Sequence, residues 1–256
     1  MSKLKVVSYN LRCNVRGDGI NMFDIRKGLI LDKIESEKPD VIGFQEETPP
    51  MRRFLESHLN GYTLVGRSRS EDRGGEYVDI AFRNETISID ALDYFWLSPT
   101  PYVPGSRYEV QSSCPRITTA ATLFHKPTGK TFRMYNTHLD HVGAPARELG
   151  LGQIIDRIIA DSEREPFPFF LTGDFNDTPD SSPLMMLRKG GRLPLTELSE
   201  SAEVTYHGWG KTAAKIDYVF ADNETGKAPC TCCIWDDCVN GVYLSDHYPV
   251  CCEIEF

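Results

Sequence analysis

The chain has 256 residues, 40% of them hydrophobic and 25% charged, and 28 Lys and Arg against 37 Asp and Glu give a formal net charge of −9. These proportions exclude collagen-like, coiled-coil and largely disordered readings, and no apolar stretch approaches the ~20 residues a membrane-spanning helix needs. The acidic balance argues against broad binding to nucleic acid or anionic membrane, which need a basic field, although a metal ion in a carboxylate-lined cleft reverses the local sign.

Leu4–Tyr9 reads as the first strand. Ile25, Leu29, Ile30 and Ile34 predict a helical stripe that Pro39 terminates. Val41–Phe44 is a second buried strand, and Met51, Phe54, Leu55 and Leu59 mark a second helix. Strands are expected at Tyr62–Val65, Tyr77–Phe82, Ile87–Phe95, Thr119–Phe124 and Thr131–Thr137. A long helix then carries Leu149, Ile154, Ile155, Ile158 and Ile159, and Met185-Met186-Leu187 reads as core on a short helix. Phe167–Leu171, Ile216–Phe220 and Tyr248–Ile254 complete the strands. Early strands alternating with helices, followed by antiparallel-looking runs, predict a two-layered β core flanked by helices. Without a repeat or a flexible linker, the simplest organisation is one domain over 1–256 acting as a monomer. The opening MSKLKVVSYN has no apolar core followed by a cleavage site, so a cytoplasmic location is expected.

Six of the eight cysteines fall between Cys230 and Cys252. Without a signal peptide a disulfide framework is the weaker reading. Cys230-x-Cys232-Cys233 followed by Cys238 admits a structural zinc, but paired C-x-x-C knuckles are missing, and buried strand cysteines are the simpler expectation.

The chemistry gathers where strands end. Asn10 follows the first strand, and Gln45, Glu46 and Glu47 follow the second. Asn136, Thr137 and His138 close another, Asp174 and Asn176 follow Phe169–Leu171, and Ser245-Asp246-His247 precede the last. A sheet fixes the backbone at such points while the loop frees the side chain. Asn, Asp and Glu oxygens are hard ligands suited to Mg²⁺ or Mn²⁺, and His transfers protons near neutral pH. No G-x-x-x-x-G-K-[ST], G-x-S-x-G or H-E-x-x-H occurs. Those absences disfavour nucleoside-triphosphatase, α/β-hydrolase and zincin chemistry and leave metal-assisted phosphoester hydrolysis.

SYN at Ser8–Asn10, QE at Gln45–Glu46, NTHL at Asn136–Leu139, GDFN at Gly173–Asn176, IDY at Ile216–Tyr218 and SDH at Ser245–His247 occur in that order. Over Val6 to Val250 the chain resembles the endonuclease/exonuclease/phosphatase superfamily. NTHLDH with Ala146-Arg147, and the segment Phe95–Pro101, are most similar to a bacterial group of undefined substrate. The resemblance implies a four-layered α/β sandwich, with two packed, mainly antiparallel sheets and helices on the outer faces. It implies a divalent cation, Mg²⁺ or Mn²⁺, held by Asn10, Glu46 and Asp246. Asp174 and Asn176 would position or activate the attacking water and contact the phosphoryl oxygens. His247, oriented by Asp217, would be the proton-transfer histidine, and either it or Asp174 takes the water's proton. His138, with Glu76 as its carboxylate partner, and Arg116 would donate to phosphate oxygens.

Plainer readings stand beside these: Asn10 as a turn cap, Asp174 as an Asx-turn residue, Glu46 and Glu47 as a solvated pair. His58, His125, His141 and His207 fall outside the motifs and are expected to be surface or structural. His141 and Asp140 stand near enough to His138 to bear on substrate choice. Tyr94, Phe95, Trp96, Tyr102 and Tyr108 either line a specificity pocket or cover the sheet. The expected activity is metal-dependent hydrolysis of a phosphorylated small molecule or a phosphodiester. The first rival is a nuclease, disfavoured because no Lys/Arg stripe is interleaved with aromatics. The second is a catalytically silent binding domain, disfavoured because every motif residue is present.

Overall fold

The protein is described here by a computed structural model covering residues 2–188 and 191–256. One six-stranded sheet contains, in spatial order, Cys230–Ile234 (β11), Val250–Glu255 (β14), Lys3–Asn10 (β1), Val41–Gln45 (β2), Ile80–Arg83 (β4) and Tyr62–Val65 (β3). The other contains Ile87–Trp96 (β5), Ile117–His125 (β6), Lys130–His138 (β7), Phe169–Asp174 (β8), Asp217–Asp222 (β10) and Leu195–Glu197 (β9). Cys238–Val239 (β12) and Val242–Tyr243 (β13) form a small hairpin. β1 with β2 and β7 with β8 pair in parallel, and the other neighbours are antiparallel.

Helices Phe23–Glu37 (α1) and Pro49–His58 (α2) cover the outer face of the first sheet, and Ala144–Arg164 (α3) with Ser182–Arg188 (α4) covers that of the second. The four-layered sandwich expected from the sequence is the observed fold. Local signals set the helix ends. Prolines occupy the first turns of α2 and α3, where the missing N–H costs nothing. α1 closes at Lys38 in a left-handed conformation, with its N–H on Ile34 O, just ahead of Pro39. No described helix is long and apolar enough to cross a membrane.

Some element details differ from the sequence reading. The buried side of α1 is Phe23, Arg26, Ile30 and Ile34, while Ile25 is 49% exposed. Arg26 takes the core position because its guanidinium donates to Asn21 O, Leu244 O and Arg12 O, so its charge is enclosed by carbonyls. Leu149 is also exposed, because Gly150 and Leu151 carry the face of α3 that meets the sheet. α4 buries Leu184 and Leu187, whereas Met186 is exposed. Tyr77 lies outside β4 and instead bridges Glu47 and Ser68. Leu195–Glu197 and Val242–Tyr243 were not expected; they are too short to show a period. The cysteines from Cys230 to Cys238 do lie on strands, but Cys230 and Cys232 are half-buried and Cys233 and Cys238 exposed rather than buried, because β11 is a sheet edge and β12 part of a small hairpin.

The inner faces of the strands position the site. Side chains alternate across a strand, so every second residue faces the opposite sheet. Along β1 that set is Leu4, Val6, Ser8, Asn10; along β7 it is Phe132, Met134, Asn136, His138; along β8 it is Phe170, Thr172, Asp174. Each set begins apolar and ends polar, and the polar ends share one rim. The apolar part forms the inter-sheet core, where the rings of Phe132, Phe170 and Phe256 lie 5.5–5.9 Å apart. Just below the rim, Asn136 ties the sheets together. Its Nδ2 donates to Phe44 O and Asp79 O, both at 2.8 Å, and its Oδ1 accepts from Gln45 Nε2 at 2.7 Å and Thr172 Oγ1 at 3.1 Å. Gly43 faces this crossing, where a Cβ would fall on Asn136 Oδ1 and Thr172 Oγ1.

Candidate active site

Strand pairing alone makes neighbours of three motif residues: Asp174 stands opposite His138 on one side and Asp217 on the other. Asp174 and His138 open into a cleft of about 440 Å³, also lined by Arg12, Cys13, Glu46, Arg69, Asn176, Tyr206, Asp246 and His247. Three of its non-glycine residues, Arg12 (φ 52°), Glu46 (φ 60°) and Asn176 (φ 50°), hold left-handed backbones. Such strain costs on the order of 1 kcal/mol each and persists where the surrounding structure aims a side chain.

His247 Nδ1 donates to Asp217 Oδ2 at 2.8 Å, and its Nε2 lies 3.9 Å from Asp174 Oδ2. Burial opposes a charge on this imidazole, but Asp217, Asp174 and Asp246 outweigh it and push its pKa up to about 10. Tyr206 packs against the ring at 4.8 Å. His207 supports the same segment from behind, stacked on Tyr248 at 4.0 Å with Nε2 on Ser245 O. Its Nδ1 accepts from Gly210 N, which fixes one neutral tautomer.

On one side of the cleft, oxygen ligands converge. Asn10 Nδ2 donates to Glu46 Oε1 at 3.1 Å and Asp174 Oδ2 at 3.0 Å, and Glu46 Oε2 accepts from Cys13 N. Asp246 stands beside them, with Arg12 Nε 3.7 Å from its Oδ2 and Arg12 Nη1 3.9 Å from Glu46 Oε2. Arg12 is itself anchored on Asp18. Glu46, His138 and Asp174 each offer a ligand atom within 4.8 Å of the others. Burial and then Asp217 raise the Asp174 carboxyl to about 7, and burial also raises Asp246. A buried excess of hard oxygen donors that cannot all ionise unaided fits a divalent cation of the Mg²⁺ type.

The other side is cationic. Arg116 is buried, with Nη2 2.9 Å from His141 Nδ1, while its Nε and Nη1 make no hydrogen bond within the described protein. Arg69 lies beside it on the wall of the cleft. Burial, then Arg116 and Arg69, hold His138 well below the ordinary histidine range, so its imidazole is neutral. An Arg pair with two imidazoles beside a carboxylate cluster is an arrangement able to accept an anionic group.

The structure thus brings Glu46, Asp174, Asn176, Asp246, His247, His138 and Arg116 to one cleft, with Asn10 and Asp217 buried behind it and bonded to its lining. Glu76 lies there too, but not as the partner of His138: both its oxygens pair with Arg69, at 2.8 and 2.9 Å, and the carboxylate beside His138 Nε2 is Asp174, at 3.5 Å. A bidentate guanidinium satisfies a carboxylate better than one imidazole N–H. Glu47 is fully buried rather than solvated, and burial, then Asp79, raises its carboxyl well above the usual range. Asp140 is occupied with Ser112, Val142 and Gly143 and orders the loop, while His141 lines the cleft. Of the aromatics, Phe95 and Trp96 are buried cover and Tyr102 is exposed; Trp96 Nε1 holds Arg69 O at 2.6 Å. His125 is buried within the fold and His58 stacks on Phe54. The sequence reading missed Arg12, Arg69 and Tyr206. Arg12 sits two residues after Asn10 and was within reach of a motif-neighbour argument; the other two lie in loops without a signal.

The sequence profile of the endonuclease/exonuclease/phosphatase family matches residues 7–247. An uncharacterised protein of Acanthamoeba polyphaga mimivirus is 27% identical over 250 residues, covering 88% of this chain and 89% of that protein. The crystal structure of an endonuclease/exonuclease/phosphatase from Bacteroides vulgatus is 26% identical, with a TM-score of 0.91 and full coverage of both chains. A mannosyl-6-phosphatase of Bacteroides thetaiotaomicron is 25% identical, with a TM-score of 0.86 over 99% of this chain and 100% of that one.

Proposed function

The chain belongs to the endonuclease/exonuclease/phosphatase family, and on that premise we propose that it is a divalent-metal-dependent hydrolase of a small phosphorylated molecule. The observation that carries this reading is the mixed lining of the cleft, where Glu46, Asp174 and Asp246 meet Arg116, His138, His141 and the Glu76-paired Arg69. Four cationic or hydrogen-bonding groups around one phosphoryl position suit the extra negative charge of a terminal phosphate. The likeness to a mannosyl-6-phosphatase supports a phosphomonoester, and the net charge of −9 disfavours a polyanionic duplex. Because both sheets contribute to the cleft, residues 1–256 act as one domain in this reading.

Glu46 and Asp246, with Asp174 adjacent, would hold the cation, which when bound neutralises phosphoryl charge and polarises the ester; Asn10 would join them by turning its amide, whose Nδ2 faces the carboxylates while Oδ1 accepts from Arg12 N. Arg116 and neutral His138 donate to phosphoryl oxygens. Asp174, aimed by Asn10 and by Asn176 N at 2.8 Å, accepts the proton of the attacking water. His247, held positive by Asp217, stabilises the charge that develops on the phosphoryl group and supplies a proton to the departing oxygen.

The test measures phosphate release from mannose 6-phosphate and other sugar phosphates, and hydrolysis of bis-p-nitrophenyl phosphate, with EDTA, Mg²⁺ or Mn²⁺. Sugar phosphate turnover that EDTA abolishes and Mg²⁺ or Mn²⁺ restores is the expected result. Preferential cleavage of the diester or of DNA would replace this reading with the nuclease, and turnover untouched by EDTA would remove the cation. Arg116→Ala is expected to raise KM by about tenfold or more, the scale of a lost hydrogen bond to a charged group. Thermal unfolding is measured alongside, because Arg116 is buried and its Nε stands 3.9 Å from Asp140 Oδ1, which keeps its bonds to Ser112, Val142 and Gly143. An unchanged KM would take Arg116 out of the phosphate cradle.

A further inference from the structure

Away from the cleft, the thiols are the largest set of reactive groups that the proposed hydrolysis does not use. Cys230, Cys232 and Cys233 lie on β11, the edge strand of the first sheet, and Cys251 and Cys252 on the adjoining β14; all are free. They do not converge as a zinc site: Cys230 and Cys232 pack on the inter-sheet core with Cys252, while Cys233 and Cys251 are on the opposite face. In register, Cys232 stands opposite Cys252 and Cys233 opposite Cys251.

These two pairs are not equivalent. Trp235 N donates to Pro249 O at 2.9 Å, and Glu255 N to Pro229 O at 3.0 Å, which fixes the alternation of this ladder. Counting inward from either end, Cys233 and Cys251 occupy a hydrogen-bonded position, and Cys232 and Cys252 a non-hydrogen-bonded one. At the latter the Cα atoms stand about 4.5 Å apart and the side chains approach most closely, inside the span a disulfide bridges but near its short limit. A bond made there is short of its relaxed geometry and correspondingly easy to reduce. Access is one-sided. Cys232 is half-buried and lines a groove of about 450 Å³ with Cys230, Glu200 and Ser201, whereas Cys252 is fully buried behind it.

We propose that Cys232 and Cys252 form a reversible disulfide, a modification site at the sheet edge that clamps the segment carrying Asp246 and His247. The oxidant class is a peroxide. The Cys232 thiolate attacks the O–O bond of hydrogen peroxide, an S–O bond forms, and the hydroxide released takes up the thiol's proton to give water. Cys252 sulfur then attacks the Cys232 sulfenic sulfur; the S–S bond forms, the S–O bond breaks, and the Cys252 proton leaves with the hydroxyl as a second water. Two electrons pass from the two thiols to the peroxide, and a small thiol reductant returns them through exchange. The surroundings favour this order of events. The Cys252 thiol lies in hydrogen-bonding reach of both Cys230 and Cys232 and lowers the pKa of each, which outweighs their burial and holds Cys252 itself protonated; Ser201 and Lys215 act in the same sense on Cys232, which alone of the two stands directly opposite Cys252. The chain between the two sulfurs contains the β12–β13 hairpin, Asp246 and His247, so the bond closes a loop around them.

The experiment treats the full chain with graded hydrogen peroxide, followed by non-reducing peptide mapping and hydrogen exchange. Expected is a Cys232–Cys252 linkage lighter by two hydrogens, reversed by dithiothreitol and absent in Cys232→Ser, with slowed exchange across residues 235–249. Cys233→Ser, on the opposite face, should leave the linkage intact. Linkage through Cys233 or Cys238, or a sulfinic acid on Cys232 with Cys252 still a free thiol, overturns the site. A bond that forms without added exchange protection overturns the clamp. Neither readout uses turnover, so the outcome is separate from that of the hydrolase reading.

Discussion

His247→Asn is expected to lower kcat by about 10²–10⁴-fold, the usual scale of a lost proton-transfer group, with a thermal unfolding curve close to that of the unchanged chain. The asparagine amide reproduces the position of Nδ1–H, so the buried Asp217 keeps the donor it now has at 2.8 Å. What disappears is the charge and the proton at Nε2, which faces Asp174 across 3.9 Å. Alanine would be a poorer probe, because it leaves Asp217 buried without its partner, a loss that by itself destabilises a fold. Asp217→Asn complements it. Without the carboxylate that raises the histidine, His247 should titrate well below about 10, and the alkaline limb of the kcat profile should move to lower pH with it. The sign follows from the direction of the shift: a raised pKa keeps the imidazole charged through neutrality, and removing its cause lets the charge go as pH rises. Retained turnover in His247→Asn would sink the assignment, and an unmoved alkaline limb in Asp217→Asn would detach the pair.

Asn136→Ala should cost about 2–4 kcal/mol of stability although the residue lies beneath the cleft and touches no reacting group. The substitution strips Phe44 O of its Asn136 donor, removes one of the acceptors of Gln45 and Thr172, and opens a hole where the two sheets meet. Asp79 O is partly spared, since Phe44 N also donates to it. An unsatisfied buried polar group costs about 1–3 kcal/mol and the cavity adds to it. At 2–4 °C per kcal/mol for a chain of this size, Tm should fall on the order of 10 °C. Calorimetry decides it: a Tm within about two degrees of the unchanged chain would mean the strut is dispensable. Activity should fall too, because Gln45 precedes the strained Glu46 and loses its anchor.

These two residues mark the difference between what is legible in order along the chain and what is not. Asp217 and His247 were recognisable as motif members because IDY and SDH sit at strand ends, where sequence patterns are sharp. Asn136 belongs to the NTHL motif as well, yet its partners other than Thr172 come from the opposite layer, and no local pattern announces a contact between layers. The pairing of Glu76 failed for a similar reason. Arg69 meets it through a loop that bends back on itself, a geometry without a period, while α1 misled because Arg26 behaves as core only when carbonyls from distant segments enclose its charge.

By itself the sequence determined the longer strands, the main helices and the family. The alternation of apolar and polar residues has a fixed period, prolines and capping residues act within a turn, and six motifs in order are improbable by accident. It also determined which strands end in carboxylates and imidazoles, since a run such as Phe132, Met134, Asn136, His138 encodes a face that turns from core to site. Only the tertiary structure decided who meets whom. Asp174 opposite both His138 and Asp217, Arg69 on Glu76, Arg116 beside His141, and Cys232 facing Cys252 across a ladder position all depend on register and layer packing. Those are set by the sum of many long-range contacts, each too weak to leave a mark in the local sequence.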